Sequence, residues 1–291
     1  MPDTLRAPRP GTPAEVDSFR PNAARMYDYY LGGTNHLAAD REAADALLEA
    51  VPAVALAARQ NRDFLSRVVQ FALREGITQF LDLGSGYASP GGVADAALAG
   101  GPGVRVVAVD IEPGVVTQVQ TLARTSGWAG QVGALHADIC DVAGILGHPV
   151  TRRMIDLDRP VAILCLAVLH FVPGPLDRVL GPLRRTVAPG SLLAVSHGAA
   201  TPTPAGRTRT EGAARPAGPT RPAGPSPASI SRLIYDCTLT PLTLRSEHDI
   251  RAALGECGLV EPGLVPVARW RMPESAPPPA FAGLVGGVSR L

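Results

Sequence analysis

The chain contains no lysine: all 27 of its basic residues are arginine. Against 26 acidic residues this leaves a net charge of +1, so no polyanion such as a nucleic acid is expected as a partner. Aromatic residues are scarce, at 4% of the chain, yet three of the five tyrosines crowd into Tyr27, Tyr29 and Tyr30. Long apolar runs are missing too. The longest, Val161 to Leu169, falls well short of the ~20 residues that cross a bilayer, so no membrane association is expected. The N-terminus has no apolar h-region, which argues against a signal peptide. Cys140, Cys165, Cys237 and Cys257 lack both C-x-x-C spacing and nearby histidine pairs. They read as reduced, mostly buried thiols of a cytoplasmic protein, with no metal site.

What is abundant is proline (29) and glycine (31), concentrated in particular segments. At 291 residues and 46% hydrophobic, the chain can bury one large α/β core with appendages. Residues 1–19 read as a disordered arm and 20–75 as an N-terminal helical cap. Residues 76–272 read as the main domain, interrupted by a disordered insertion at 198–228, and 273–291 as a flexible tail.

The chain is organised around Ile77 to Gly91. Ile77, Phe80, Leu81 and Leu83 form a buried strand that Gly84-Ser85-Gly86 breaks sharply. Such a turn lets backbone approach a ligand where a Cβ would collide. Asp82, just before it, sets a negative charge that a pyrophosphate avoids and that an ammonium or sulfonium accepts. Ser89 replaces the third glycine of G-x-G-x-x-G, which also counts against a dinucleotide. Taken alone, the turn is a weak signal that a tight structural turn would also give.

Strands then alternate with helices, which implies a mostly parallel sheet covered on both faces. Val104 to Val109 ends in Asp110, placed either to accept from two ribose hydroxyls or to cap the helix that begins near Pro113. Asp138 and Ile139 follow the third strand and suit an adenine amine and ring, or a surface turn. Val161 to Leu166 is apolar on both faces, as a central parallel strand should be. His170 and His197 follow the fourth and fifth strands; each reads as a general base or as a histidine satisfied by local backbone. These residues converge on the carboxyl ends of the strands, where such sheets bind ligands. Within the cap, Tyr27, Tyr30 and His36 form a lid over a ligand or simply pack the arm onto the domain. Arg62, in the helix Gln60 to Glu75, reaches a ligand carboxylate or stays exposed. Leu259–Val260 and Val265 to Trp270 suggest a final antiparallel pair, and Ser246 to Cys257 a helix stopped by Gly258.

The series LDLGSG, AVD, HADICD, CLAVLHFVPG and VAPGSLLAVSH resembles the motifs of class I S-adenosylmethionine (SAM)-dependent methyltransferases. With RMYDYYLGGTNHLAADREAAD, NRDFLSR and the terminal VARWR, it more narrowly resembles the S-adenosyl methyltransferase-like family of high-GC bacteria that carries an N-terminal YDYxLGG motif. The resemblance implies a Rossmann-like, seven-stranded, mostly parallel sheet with the last strand antiparallel. It implies SAM as cofactor, with Asp82, Gly84 and Gly86 at its methionine end, Asp110 at the ribose, and Ser85 and Ile111 also among the cofactor-binding residues. Asp138 and Ile139 would meet the adenine, and Leu166 would line the pocket through its backbone. The expected reaction is methyl transfer to a small molecule. A SAM-binding protein without turnover and a nicotinamide oxidoreductase are the alternatives.

Overall fold

The computed structural model describes residues 16–199, 226–238, 240–255, 258–273, 280 and 283–291. Most of the expected arm (residues 1–15 of 1–19) and most of the expected insertion (200–225 of 198–228) lie outside these residues. The sequence alternation becomes α1 (Ala23–Tyr30), α2 (Ala38–Ala50), α3 (Val54–Arg74), β1 (Gln79–Leu83), α4 (Val93–Leu98), β2 (Arg105–Asp110), α5 (Pro113–Thr125) and β3 (Val132–His136). It continues through α6 (Val142–Gly147), α7 (Pro149–Met154), β4 (Ala162–Leu166), α8 (Asp177–Thr186), β5 (Leu192–Gly198), α9 (Pro227–Tyr235), α10 (Glu247–Leu254), β6 (Val265–Pro266) and β7 (Leu284–Arg290). The strands form one seven-stranded sheet, β3-β2-β1-β4-β5-β7-β6. β1 to β5 run parallel, and β7 pairs antiparallel with both β5 and β6.

Side-chain alternation divides the core. Phe80, Val106, Ala162 and Leu164 face α3, α4 and α5, while Leu81, Val107, Ile163 and Cys165 face α6, α7, α8 and α10. β4 is buried along its whole length, as its unbroken apolar run requires. The sheet order reverses between β1 and β4, which opens a crevice at their carboxyl ends. α1 and α2 lie over that end around a separate apolar cluster of Met26, Tyr30, Ala44, Leu47 and Ala58. α3, by contrast, is a covering helix of the sheet rather than part of the cap, because Phe64, Leu65, Val68 and Ala72 pack into the main core.

Three expectations need correction. Residues 273–291 are not all flexible tail, since β7 is the strand on which the sheet's antiparallel edge is built. Leu259 and Val265 each pair with β7 and not with one another. Gly286 makes the packing possible: a Cβ there would stand 2.9 Å from both Phe64 and Val267. The final helix stops at Gly255 rather than Gly258, because Gly255 (φ +83°) takes the left-handed conformation that ends it. The Ser246/Asp249 cap at its start forms as expected, with Ser246 Oγ accepting from Asp249 N at 3.1 Å. Of the described cysteines, Cys165 is buried but Cys140 and Cys237 are exposed; all three are free. No helix among the described residues is long and apolar enough to cross a membrane.

Candidate cofactor and acceptor cavity

A cavity of about 540 Å³ opens at the carboxyl ends of β1, β2 and β4 and runs up beneath α1, α2 and α9. Arg62, Asp82, Gly84, Ser85, Gly86, Asp110, Ile111, Asp138, Ile139 and Leu166 all line it, and so do Tyr27, Tyr30 and His170. Every expected cofactor residue is therefore on one surface.

The glycine turn divides its work between two residues. Gly84 (φ +73°) leaves room for protein, since a Cβ there would sit 2.3 Å from Val168 Cγ2. Gly86 (φ +63°) faces open space, which leaves its backbone open to close approach. Asp110 locks the turn to β2: one carboxylate oxygen accepts from Gly86 N at 2.8 Å, the other from Glu112 N at 2.9 Å. Each oxygen keeps a lone pair for a further donor. The capping and ligand readings of Asp110 are thus compatible.

Asp82 is buried, and desolvation pushes its carboxyl up to about 7; Arg62 opposes that shift and Asp110 adds to it. Arg62 Nε, Ser85 Oγ and Ser89 Oγ are buried without hydrogen-bond partners. All three residues line a smaller adjoining cavity of about 260 Å³ behind the turn. Unpaired donors gathered beside a carboxyl that lacks a full counter-charge fit a zwitterionic amino-acid end. Ser89, read in sequence only as a missing glycine, is part of that cluster. Around the expected adenine position, Ile139 is buried, Ile111 is half exposed, and Asp138 accepts from Cys140 N at 2.8 Å.

The two histidines separate. His170 lines the cavity; its Nδ1 faces Gly198 N at 3.4 Å, and burial, with His197 and Arg245 nearby, holds it neutral far below its usual range. His197 is fully buried and does not line the cavity. Its Nδ1 meets Gly198 O at 2.8 Å and its Nε2 meets Arg245 at 3.1 Å, while burial lowers it to about 4. Arg245 also donates to the carbonyls of Leu169, Val172 and Gly174, so His197 belongs to a clamp on the loop after β4.

The lid residues separate as well. Tyr27 and Tyr30 face inward. His36 packs on Tyr29 outside the cavity and bonds Gly33 O at 3.0 Å, so it cannot reach a ligand there. The YDYYLGG run has a local logic. Asp28 accepts from Asn35 N at 2.7 Å, and a Cβ on Gly33 would overlap the Asp28 carboxyl.

Two networks were not legible as functional. Ala167 holds a left-handed φ of +53° at the mouth of β4, where its N–H donates to Ser196 Oγ. Ser196 Oγ donates to Asn61 Oδ1, and Asn61 Nδ2 donates to Tyr27 Oη, which reaches Ala58 O. The second network buries Arg25 between Asp40 (2.6 Å) and Glu112 (3.3 Å), with Asn22 bonding both carboxylates. Asn61 and Arg25 stood in the quoted motifs, but nothing in their spacing marks them as partners of residues 135 and 87 positions away.

This sheet order, glycine turn and carboxylate-tipped second strand define the class I SAM-dependent methyltransferase fold. The S-adenosyl methyltransferase family profile matches residues 10–220, and the chain belongs to that family. It is 34% identical to a protein named as a candidate methyltransferase from Thermobifida fusca YX, over 94% of this chain and 96% of that one, with TM-score 0.80. It is 32% identical to a DUF574 family protein from Streptomyces avermitilis MA-4680, over 95% and 99%, with TM-score 0.79. No curated protein matches significantly. The chain is a SAM-dependent methyltransferase, and SAM is its cofactor.

Proposed function

We propose that this cavity carries methyl transfer from SAM to a small molecule, with nucleic acid excluded as the acceptor by charge. The observation that carries the reading is the convergence of Asp82, Gly86 and Asp110 on one cavity wall with three unpartnered polar groups behind the turn. In this assignment Asp82 faces the ammonium and sulfonium, while Arg62, Ser85 and Ser89 hold the carboxylate. Asp110 accepts from the ribose hydroxyls. Ile111, Asp138 and Ile139 frame the adenine, and Gly84 and the Leu166 backbone shape the floor. When bound, SAM supplies a methyl carbon on a sulfonium; the C–S bond breaks, sulfur keeps the electron pair, and the acceptor atom takes the methyl.

The protein's share is to orient the acceptor, exclude water and, where the acceptor must lose a proton, receive it. His170 is the histidine on the cavity wall, but burial makes it a weak base and its Nδ1 accepts from Gly198 N, so it suits holding the acceptor through Nε2–H; His197 positions the loop. Tyr27 and Tyr30 roof the site, and we take the YDYYLGG run as the signature of that roof. The free thiols favour a cytoplasmic location. The test is incubation of the full chain and methyl-labelled SAM with a bacterial metabolite extract. Label moving into a low-mass fraction is the expected result; label confined to the nucleic-acid or protein fraction would overturn the acceptor class.

A further inference from the structure

The cofactor assignment accounts for only part of the cavity. Among the described residues, its charged lining is confined to Arg62, Asp82, Asp110 and Asp138, on α3 and at the strand ends. Under the helical roof the wall is uncharged and mostly apolar, built from Leu47, Val51, Val54 and Leu244 with Tyr30 and Tyr235, and with Ser231 and Thr240 at its edge. One polar feature there is unspent. Tyr30 is only 5% exposed, and its hydroxyl is buried beside the Tyr235 hydroxyl, with no partner in hydrogen-bond geometry. A phenol left unsatisfied in an apolar compartment is costly unless a bound molecule completes it.

We propose that the methyl acceptor is an uncharged, largely apolar, ring-bearing molecule carrying one hydroxyl or keto oxygen that accepts a hydrogen bond from Tyr30. This rests on the methyltransferase reading of the cavity. Among the described residues the compartment offers no counter-charge, so an anionic or cationic acceptor would lose its hydration there without compensation. Apolar area is what the compartment rewards. The Tyr235 ring is already tilted against Phe171 at 5.2 Å, which presents aromatic edges suited to another ring. Tyr30 stays a neutral donor: burial, and then the adjacent Tyr235, push its ionisation far upward, and burial pushes Tyr235 up to about 12.

Titration of the full chain with 2-naphthol, naphthalene and 2-naphthoate, with and without saturating S-adenosylhomocysteine, reads this directly. The expected result is 2-naphthol binding roughly tenfold tighter than naphthalene and at least about tenfold tighter than 2-naphthoate. In Tyr30→Phe the advantage of 2-naphthol over naphthalene should disappear while S-adenosylhomocysteine still binds, which also verifies that the variant is folded. Equal or tighter binding of 2-naphthoate, or an advantage for 2-naphthol that survives in Tyr30→Phe, would overturn the proposal. The two readings fail separately. Absence of S-adenosylhomocysteine binding by the parent chain counts against the cofactor site, whereas loss of 2-naphthol selectivity beside intact S-adenosylhomocysteine binding counts against the acceptor class alone.

Discussion

Asp82 is the residue whose chemistry departs furthest from its sequence reading. A fixed negative charge was the expectation, but the buried carboxyl holds its proton up to about pH 7. The unfolded chain releases that proton near pH 4. Folding therefore gains most from this group below pH 4, and that gain is lost as pH rises towards 7. Asp82→Asn, which does not titrate, should accordingly be more stable than the parent above pH 7, by a few kcal/mol. The difference should shrink towards zero at pH 4, as thermal melts without ligand across that range can verify; a constant difference would contradict the assignment. A nearby cation reverses the effect by favouring the carboxylate, so SAM should bind more tightly as pH rises from 6 to 8. At this scale, identity was legible and state was not. Residue type and place on the strand gave Asp82, Gly86 and Asp110, but desolvation depends on helices packed from elsewhere in the chain.

The roof elements are held by long-range polar bonds rather than by their own sequence signals. α1 is seated by Arg25 between two buried carboxylates, and by Tyr27 through Asn61 to Ser196 on β5. Arg25→Ala leaves Asp40 and Glu112 buried without their counter-charge, held only by hydrogen bonds such as those from Asn22, and should cost about 3 to 5 kcal/mol. Asn61→Leu strips partners from the Tyr27 and Ser196 hydroxyls, at about 1 to 3 kcal/mol each. Because Ser196 also holds the strained Ala167, Asn61→Leu should weaken S-adenosylhomocysteine binding more than Arg25→Ala does for the same loss of stability. Chemical denaturation paired with calorimetry reads both quantities; equal binding losses would contradict the coupling. Periodicity located β4 within one residue, Val161 to Leu166 against Ala162–Leu166. It started α3 six residues late, at Gln60 instead of Val54, because the alanine-rich first turns carry little pattern but strong helix propensity.

At the scale of the molecule, the sheet is completed by the residues that composition alone dismissed. The proline-rich stretch before β7 suggested a tail, and the short LVGGVSR run was hidden by its paired glycines. Gly286 is what lets β7 lie against Phe64 and Val267, while Gly287 packs against Gly263, Leu254 and Leu264. Gly286→Val should therefore overpack the junction and destabilise the domain by about 1 to 3 kcal/mol or more, measured by urea unfolding. A neutral substitution would mean that the edge can shift. The central claim is that strands β1, β2 and β4 converge to bind an adenosyl group, with Asp110 holding its sugar. Calorimetric titration of Asp110→Ala with S-adenosylhomocysteine tests it most directly. The account predicts a loss of affinity on the order of a hundredfold, from two charge-assisted hydrogen bonds, in a variant that still melts cooperatively. Unchanged affinity in that variant would contradict it.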